Sequence, residues 1–217
     1  MVKTVIFDVD GTLLDTERIR MRAWQEVAQK AGFDMPMSIL LKTRGVSKIV
    51  SNRIYKEAMG DSFDTTLMRK LQENRTEELI YASDALLKPG VIQTLDFLKE
   101  HNIPVAVAST TVYEVTKEHL KHAGLYHYFG AVVGGDMVKN GKPEPDIFLL
   151  AAQQLGVEPK ACMVVEDSHA GIRAAFAARM QPIMIPDCVP VTEEIVPFCT
   201  GVLDSMEKLP EMLKTVI

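Results

Sequence analysis

Short apolar runs that do not alternate with polar residues restrict this chain more than any other feature. Val5-Ile6-Phe7 is such a run, partly β-branched and followed closely by a Gly turn at Gly11. It reads as a strand buried on both faces, the condition of a parallel sheet. Pro104-Val105-Ala106-Val107-Ala108, Ala131-Val132-Val133, Cys162-Met163-Val164-Val165 and Ile183-Met184-Ile185 continue the series. Segments of helical period separate them: one through Val91, Leu95 and Leu98, one from about Val112 to Ala123 ahead of Gly124, one from Pro145 to Leu155, and one from about Ala170 to Ala178. This β-α alternation predicts an α/β fold, a doubly wound, Rossmann-like parallel sheet covered by helices on both faces.

The stretch from residue 15 to about 86 has a different texture. Asp15 or Thr16 can cap a helix carrying Trp24, Val27, Ala28 and Ala31, which Gly32 closes. Ser47 can cap a second helix running to about Gly60. Asp64 can cap a third, with Leu67, Met68 and Leu71 on one apolar face. No strand is expected here. The opening strand must therefore pair with strands beyond residue 86, and the helical stretch is an insertion. The expected division is a discontinuous core, residues 1–14 and 88–217, and a helical cap, residues 15–87. Such a cap is expected to open and close above the sheet on the two connections near residues 14–16 and 86–90.

The chain has 217 residues, of which 47% are hydrophobic and 24% charged, which excludes a disordered polypeptide. A net charge of −5 excludes global attraction to nucleic acid or to an anionic membrane. No apolar run approaches the roughly 18 residues that span a bilayer. Asp8, Asp10 and Asp15 break the early apolar stretch, so no secretory signal is expected. Cys162, Cys188 and Cys199 have no metal-ligand spacing and are expected to be reduced, buried thiols of a cytoplasmic protein, with a monomer as the expected state.

Parallel sheets bind ligands at the carboxyl ends of their strands. Asp8 and Asp10 follow the first apolar run, Ser109 and Thr110 the second, and Glu166 and Asp167 the run ending at Val165. Helix capping accounts for Ser168 or for a lone Asp, but poorly for Asp-x-Asp directly after an apolar strand. Clustered carboxylates repel unless a cation sits among them, and Mg2+ suits oxygen ligands shared with a phosphate. Lys142, in the turn-like stretch Asn140-Gly141-Lys142-Pro143, is a point charge suited to phosphate oxygens, although a loop lysine taken alone reads as solvated.

Asp8-Val9-Asp10-Gly11-Thr12 resembles the first motif of the haloacid dehalogenase-like hydrolase superfamily. Ala108-Ser109-Thr110 resembles its second, Lys142-Pro143-Glu144-Pro145-Asp146 its third, and Val165-Glu166-Asp167-Ser168, continued by Gly171, its fourth. The helical insertion is similar to the cap of the subgroup that holds sugar-phosphate phosphatases, phosphoglycolate phosphatases and β-phosphoglucomutases. The segment from Leu41 to Ser47, including Arg44-Gly45-Val46-Ser47, resembles that subgroup's cap loop, and Arg44, Gly45, Ser47 and Lys48 would meet the substrate. The resemblance implies an enzyme, a phosphoric monoester hydrolase acting on a small phosphorylated metabolite. Asp8 would be the nucleophile and Asp10 the general acid and base. Ser109, Thr110 and Lys142 would bind phosphate. Asp8, the Asp10 carbonyl and Asp167 would hold Mg2+, with Glu166 supporting from outside the ligand set. Thr12 would order the turn. Asp10 also speaks for phosphate esters, since members that cleave carbon–halogen bonds lack an acid there.

Two other readings stand beside the phosphatase: a β-phosphoglucomutase-type mutase, and a phospho-accepting receiver domain of the signalling class. Against the mutase, Arg20 occupies the register at which those mutases carry a His, and Thr110-Thr111-Val112 follows Ser109 without their Lys. Against the receiver, Asp-x-Asp follows the first strand and an insertion comes after it. His119 and His122, at i and i+3, lack a third ligand and read as surface or packing residues. Trp24 reads as a substrate platform or a cap-core anchor. Gly134-Gly135-Asp136 lacks the flanking pattern of a nucleotide loop, and no P-loop is present.

Overall fold

In the computed structural model, residues 1–43, 48–83 and 86–217 are described, Lys48 by its backbone alone. The chain forms two compact units, one of Met1–Leu14 with Leu87–Ile217 and one of Asp15–Leu86.

The first unit contains a six-stranded, wholly parallel sheet: β1 (Thr4–Phe7), β2 (Val105–Ala108), β3 (Ala131–Val133), β4 (Cys162–Glu166), β5 (Gln181–Met184) and β6 (Gly201–Val202). Their order is β3-β2-β1-β4-β5-β6. The chain therefore starts in the middle, winds outward through β2 and β3, and returns to the other side of β1. The winding reverses between β1 and β4, the place where such sheets leave a crevice at their carboxyl edge.

After the four helices α1–α4 of the second unit, α5 (Val91–Glu100), α6 (Tyr113–His122), α7 (Asp146–Leu155) and α8 (His169–Ala177) alternate with β1–β5 as expected, and α9 (Leu209–Leu213) follows β6. One sheet face, with Ile6, Ala106, Ala108, Ala131, Val133 and Val164, packs on Ile147, Phe148, Ala151 and Ala152 of α7 and on Ala174 and Ala175 of α8. Alanines on both sides let helix and sheet approach closely, which native packing density requires. The other parity of the strands, Val5, Phe7, Val105, Val107, Met163 and Val165, is equally buried. Strand β6 and helix α9 had no counterpart in the sequence expectations. The two residues of β6 take their definition from pairing with β5.

The second unit contains α1 (Thr16–Lys30), α2 (Met37–Lys42), α3 (Lys48–Met59) and α4 (Thr65–Tyr81). No strand occurs among its described residues. Trp24 sits at the centre, its ring 4.7 Å from that of Tyr55 and 6.4 Å from that of Phe63. It is a core anchor, as one of its two readings expected. Asp64 caps α4 by accepting from the N–H groups of Thr66 and Leu67. Asp15 stands at the start of α1 without a capping bond, and its carboxylate instead pairs with Arg18 at 2.7 Å.

Three expectations need correction in this unit. Helix α2 runs to Lys42, so Leu41 and Lys42, expected in the cap loop, belong to a helix. Ala31 is exposed at the end of α1. On α4, Leu67 and Leu71 are exposed, and Met68, Gln72, Thr76, Leu79 and Ile80 form the buried face. Gln72 donates to the Thr76 hydroxyl at 2.6 Å, so two polar side chains satisfy each other inside.

Of the cysteines, Cys162 is buried as expected, while Cys188 and Cys199 are half-buried, and none is in a disulfide. Among the described residues no helix is long and apolar enough to cross a membrane.

Candidate active site

The strand ladder carries the site residues into place. Phe7 is level with Val107 on one side and Val165 on the other. One step further, Asp8 lies beside Ala108 and Glu166, and its N–H donates to the Val165 carbonyl at 2.9 Å. Side chains alternate along a strand, so Asp8, Ala108 and Glu166 share the face of Ile6, Ala106 and Val164, the face that α7 and α8 cover. Lys142, in the loop before α7, reaches this point. Its Nζ donates to Asp8 Oδ1 at 2.6 Å, to Glu166 Oε1 at 2.6 Å and to the Ala108 carbonyl at 3.0 Å. It also stands 4.9 Å from the centre of the Phe148 ring on α7. With only 4% of its side chain exposed, Lys142 is no solvated loop charge.

Both oxygens of Glu166 are engaged. Oε1 takes Lys142, and Oε2 accepts from the N–H and the hydroxyl of Ser168, each at 2.8 Å. Ser168 in turn caps α8 by accepting from the Gly171 N–H at 3.1 Å. Gly171 abuts the Glu166 carboxylate so closely that a Cβ there would collide with it.

Charge in this cluster is out of balance. Burial pushes the Asp8 carboxyl up to about 7, against the pull of Lys142 and with Glu166 and Asp10 adding to the rise. Burial raises Asp167 to about 9, with Glu166, Asp8 and Asp187 adding to the rise and Lys142 opposing it. Burial acts on Lys142 in the opposite sense, but the carboxylates of Asp8 and Glu166 outweigh it and hold the ammonium above its ordinary range. Asp8, Glu166 and Asp167 each offer an oxygen within 4.8 Å of the others. Three buried carboxylates served by one lysine form a donor set that fits a hard divalent cation.

Asp10 has different surroundings. It is half-buried, and its Oδ2 accepts from the Thr111 hydroxyl at 2.9 Å and the Ser109 hydroxyl at 3.2 Å. Ser109 is fully buried, and its Oγ also accepts the Thr111 N–H at 3.0 Å. Between Asp8 and this turn the chain bends at Gly11, whose φ of 92° is a conformation L side chains rarely adopt. Thr12 is buried beside it, and its hydroxyl has no hydrogen-bond partner among the described residues. The expected turn-ordering role of Thr12 is therefore not carried by a side-chain hydrogen bond.

The structure thus gathers Asp8, Asp10, Ser109, Lys142, Glu166 and Asp167 at one edge of the sheet. Thr110 is exposed, and its neighbour Thr111 reaches Asp10 instead. Arg44, Gly45 and Ser47 lie outside the described residues, and Lys48 is the first residue of α3. His119 is buried in α6 and His122 is exposed on it.

The sequence model of haloacid dehalogenase-like hydrolases matches residues 2–179. The chain belongs to this family. It is 34% identical over 184 residues to the phosphorylated carbohydrates phosphatase of Thermotoga maritima, covering 84% of each chain. It is 35% identical over 180 residues to the fructose-1-phosphate phosphatase YqaB of Escherichia coli, covering 82% of this chain and 94% of the relative. Among solved structures, the β-phosphoglucomutase of Clostridium difficile superposes with a TM-score of 0.78 at 28% identity, covering 99% of this chain and 96% of that one. The chain is therefore a hydrolase with phosphatases among its relatives, and the receiver-domain alternative falls.

Sequence reasoning on this hydrolase missed Thr111, the Ser168 clasp on Glu166 and the Phe148 ring under Lys142. Thr111 had a usable signal. A Ser that accepts the N–H two residues on forms a tight turn, which brings residue i+2 back to the side of residue i.

Proposed function

We propose that this hydrolase is a Mg2+-dependent phosphatase of a small phosphomonoester, a sugar or polyol phosphate, working through an aspartyl-phosphate on Asp8. One observation carries the reading: two neighbouring carboxylates stand in unlike surroundings. Asp8 is buried against Lys142 in the three-carboxylate cluster, and Asp10 is held by two hydroxyls outside it. Such a division suits a nucleophile beside an acid–base group.

In the first step a carboxylate oxygen of Asp8 attacks phosphorus and the bond to the ester oxygen breaks. Asp10 gives its proton to that leaving oxygen. In the second, Asp10 takes a proton from water as the water oxygen attacks phosphorus. The bond to Asp8 breaks, returning its carboxylate and releasing inorganic phosphate. Lys142 and Ser109 offer a cation and a hydroxyl to the phosphoryl oxygens. Asp8, Asp167 and the Asp10 carbonyl would hold Mg2+, with Glu166 orienting Lys142 beside them. Bound there, the ion supplies the charge that lets an anionic phosphoryl group approach a carboxylate. Cysteines outside disulfides suit the cytoplasm as the setting.

The likeness to a β-phosphoglucomutase structure keeps the mutase as the second reading. Arg20 weighs against it: it lies 3.4 Å from Glu17 on α1, and a guanidinium cannot titrate in place of an imidazole. The test is a panel of sugar phosphates, polyol phosphates, phosphoglycolate and nucleotides with Mg2+, run beside Asp8→Asn. The expected result is steady phosphate release that the variant loses. More than a few per cent of wild-type turnover in Asp8→Asn refutes the nucleophile. Glucose 6-phosphate forming from β-glucose 1-phosphate and trace bisphosphate faster than phosphate is released would make the enzyme a mutase.

A further inference from the structure

Gly134-Gly135-Asp136 follows β3 and belongs to no motif of the family as set out above. Helix α6 begins at Tyr113 with Val112 at its N-cap, and Val112 has no side chain able to accept an N–H. The missing acceptor comes from 23 residues downstream: Asp136 Oδ1 takes the Tyr113 N–H at 2.7 Å. The Gly135 N–H donates to the Thr111 carbonyl at 2.9 Å, and the Thr116 hydroxyl donates to the same carbonyl at 3.3 Å. The two glycines permit this approach. A Cβ at Gly134 would strike the backbone of Tyr113, and one at Gly135 the carbonyl oxygen of Thr110. Thr111 is thereby anchored at its carbonyl by Gly135 and Thr116 and at its N–H by Ser109, while its hydroxyl goes to Asp10.

We propose that Gly134-Gly135-Asp136 is a positioning clamp: it fixes the Ser109–Tyr113 loop from behind and so sets the hydroxyls that aim Asp10. The proposal rests on the reading of Asp10 as the acid–base group. None of the three clamp residues touches the reacting atoms. They act through Thr111, at the carbonyl and at the helix start that follows it.

The test compares wild type with Asp136→Ala, Asp136→Asn and Gly135→Ala. Asp136 is exposed, so its variants are expected to fold, and a circular dichroism melt checks this for all three. Loss of the cap should speed amide exchange across residues 109–116 by about fivefold or more in Asp136→Ala, and Asp136→Asn, which keeps the acceptor, should stay near wild type. Misplacing a general acid matters most when the leaving group is poor. In Asp136→Ala the kcat on a sugar phosphate should therefore fall about tenfold, against less than about threefold on p-nitrophenyl phosphate. Gly135→Ala, whose Cβ must displace the loop, should lose more, with the same dependence on the leaving group. Unchanged exchange in Asp136→Ala overturns the clamp whatever the activity. Faster exchange with equal losses on both esters, or with none, overturns its role in aiming Asp10. A wild-type enzyme that releases no phosphate from any ester defeats the functional reading instead, and the exchange arm still decides the clamp.

Discussion

Replacing Lys142 by Met keeps the volume of the stem and removes the charge. In the wild type this lysine serves two carboxylates at 2.6 Å each, with side-chain exposures of 4% for Lys142, 8% for Asp8 and 1% for Glu166. Stripping one partner from a buried ion pair costs roughly 3–5 kcal/mol, because the remaining charge is left without compensation. For a chain of this size about 1 kcal/mol moves Tm by roughly 2–4 °C, so Lys142→Met should melt about 10 °C lower at pH 8 in chelator. The loss should depend on pH with a definite sign. Asp8 and Asp167 are already raised, to about 7 and about 9. A carboxyl raised in the folded state binds its proton more tightly there. Its contribution is complete below the unfolded value near 4 and is lost as pH rises through the folded pKa. Metal-free wild type should therefore lose stability between about pH 4 and 9. Without the lysine, Asp8 rises further, the slope steepens, and the gap to wild type narrows toward pH 5, where a proton replaces the ammonium. Thermal melts at pH 5 and pH 8 in EDTA measure all of this. A Tm shift of less than about 2 °C at both pH values would refute the reading of Lys142 as the internal counter-ion. A gap wider at pH 5 than at pH 8 would refute the linkage.

Three further outcomes are expected. Asp10→Asn should slow kcat by roughly 10²–10⁴ on poor leaving groups and less on p-nitrophenyl phosphate, and equal slowing on both would remove its acid role. EDTA should stop phosphate release and Mg2+ restore it, with Asp167→Ala raising the Mg2+ needed for half activity at least about tenfold; full turnover in excess chelator, or an unchanged requirement, would refute the site. Gly171→Ala should push the Glu166 carboxylate off Lys142, costing about 1–3 kcal/mol in a melt as well as activity; wild-type values of both would show that α8 yields at no cost.

Much of this protein is legible without its fold. The apolar runs at Val5, Val105, Ala131, Cys162 and Ile183 specify buried strands by composition alone, and Gly and Pro mark where they turn. The residues at their ends follow, Asp8, Asp10, Ser109 and the Glu166-Asp167 pair, because a strand delivers the residue after it to the sheet edge. What the tertiary structure decided lies wherever a partner comes from elsewhere in the chain. Leu67 and Leu71 look like a buried face of α4, yet Gln72 and Thr76 are buried there, since each satisfies the other. Helix α2 is six residues long, too short for an apolar period to declare it. Lys142 reads as a solvated charge until two carboxylates and the Phe148 ring close around it. The turn at Ser109 favours Thr111 over Thr110, but only the fold brings Asp10 to its hydroxyl. The start of α6 is capped by Asp136 from across the loop. Local composition encodes where an element forms, but burial and hydrogen-bond pairing depend on segments far apart in the chain, and only the assembled fold brings those together.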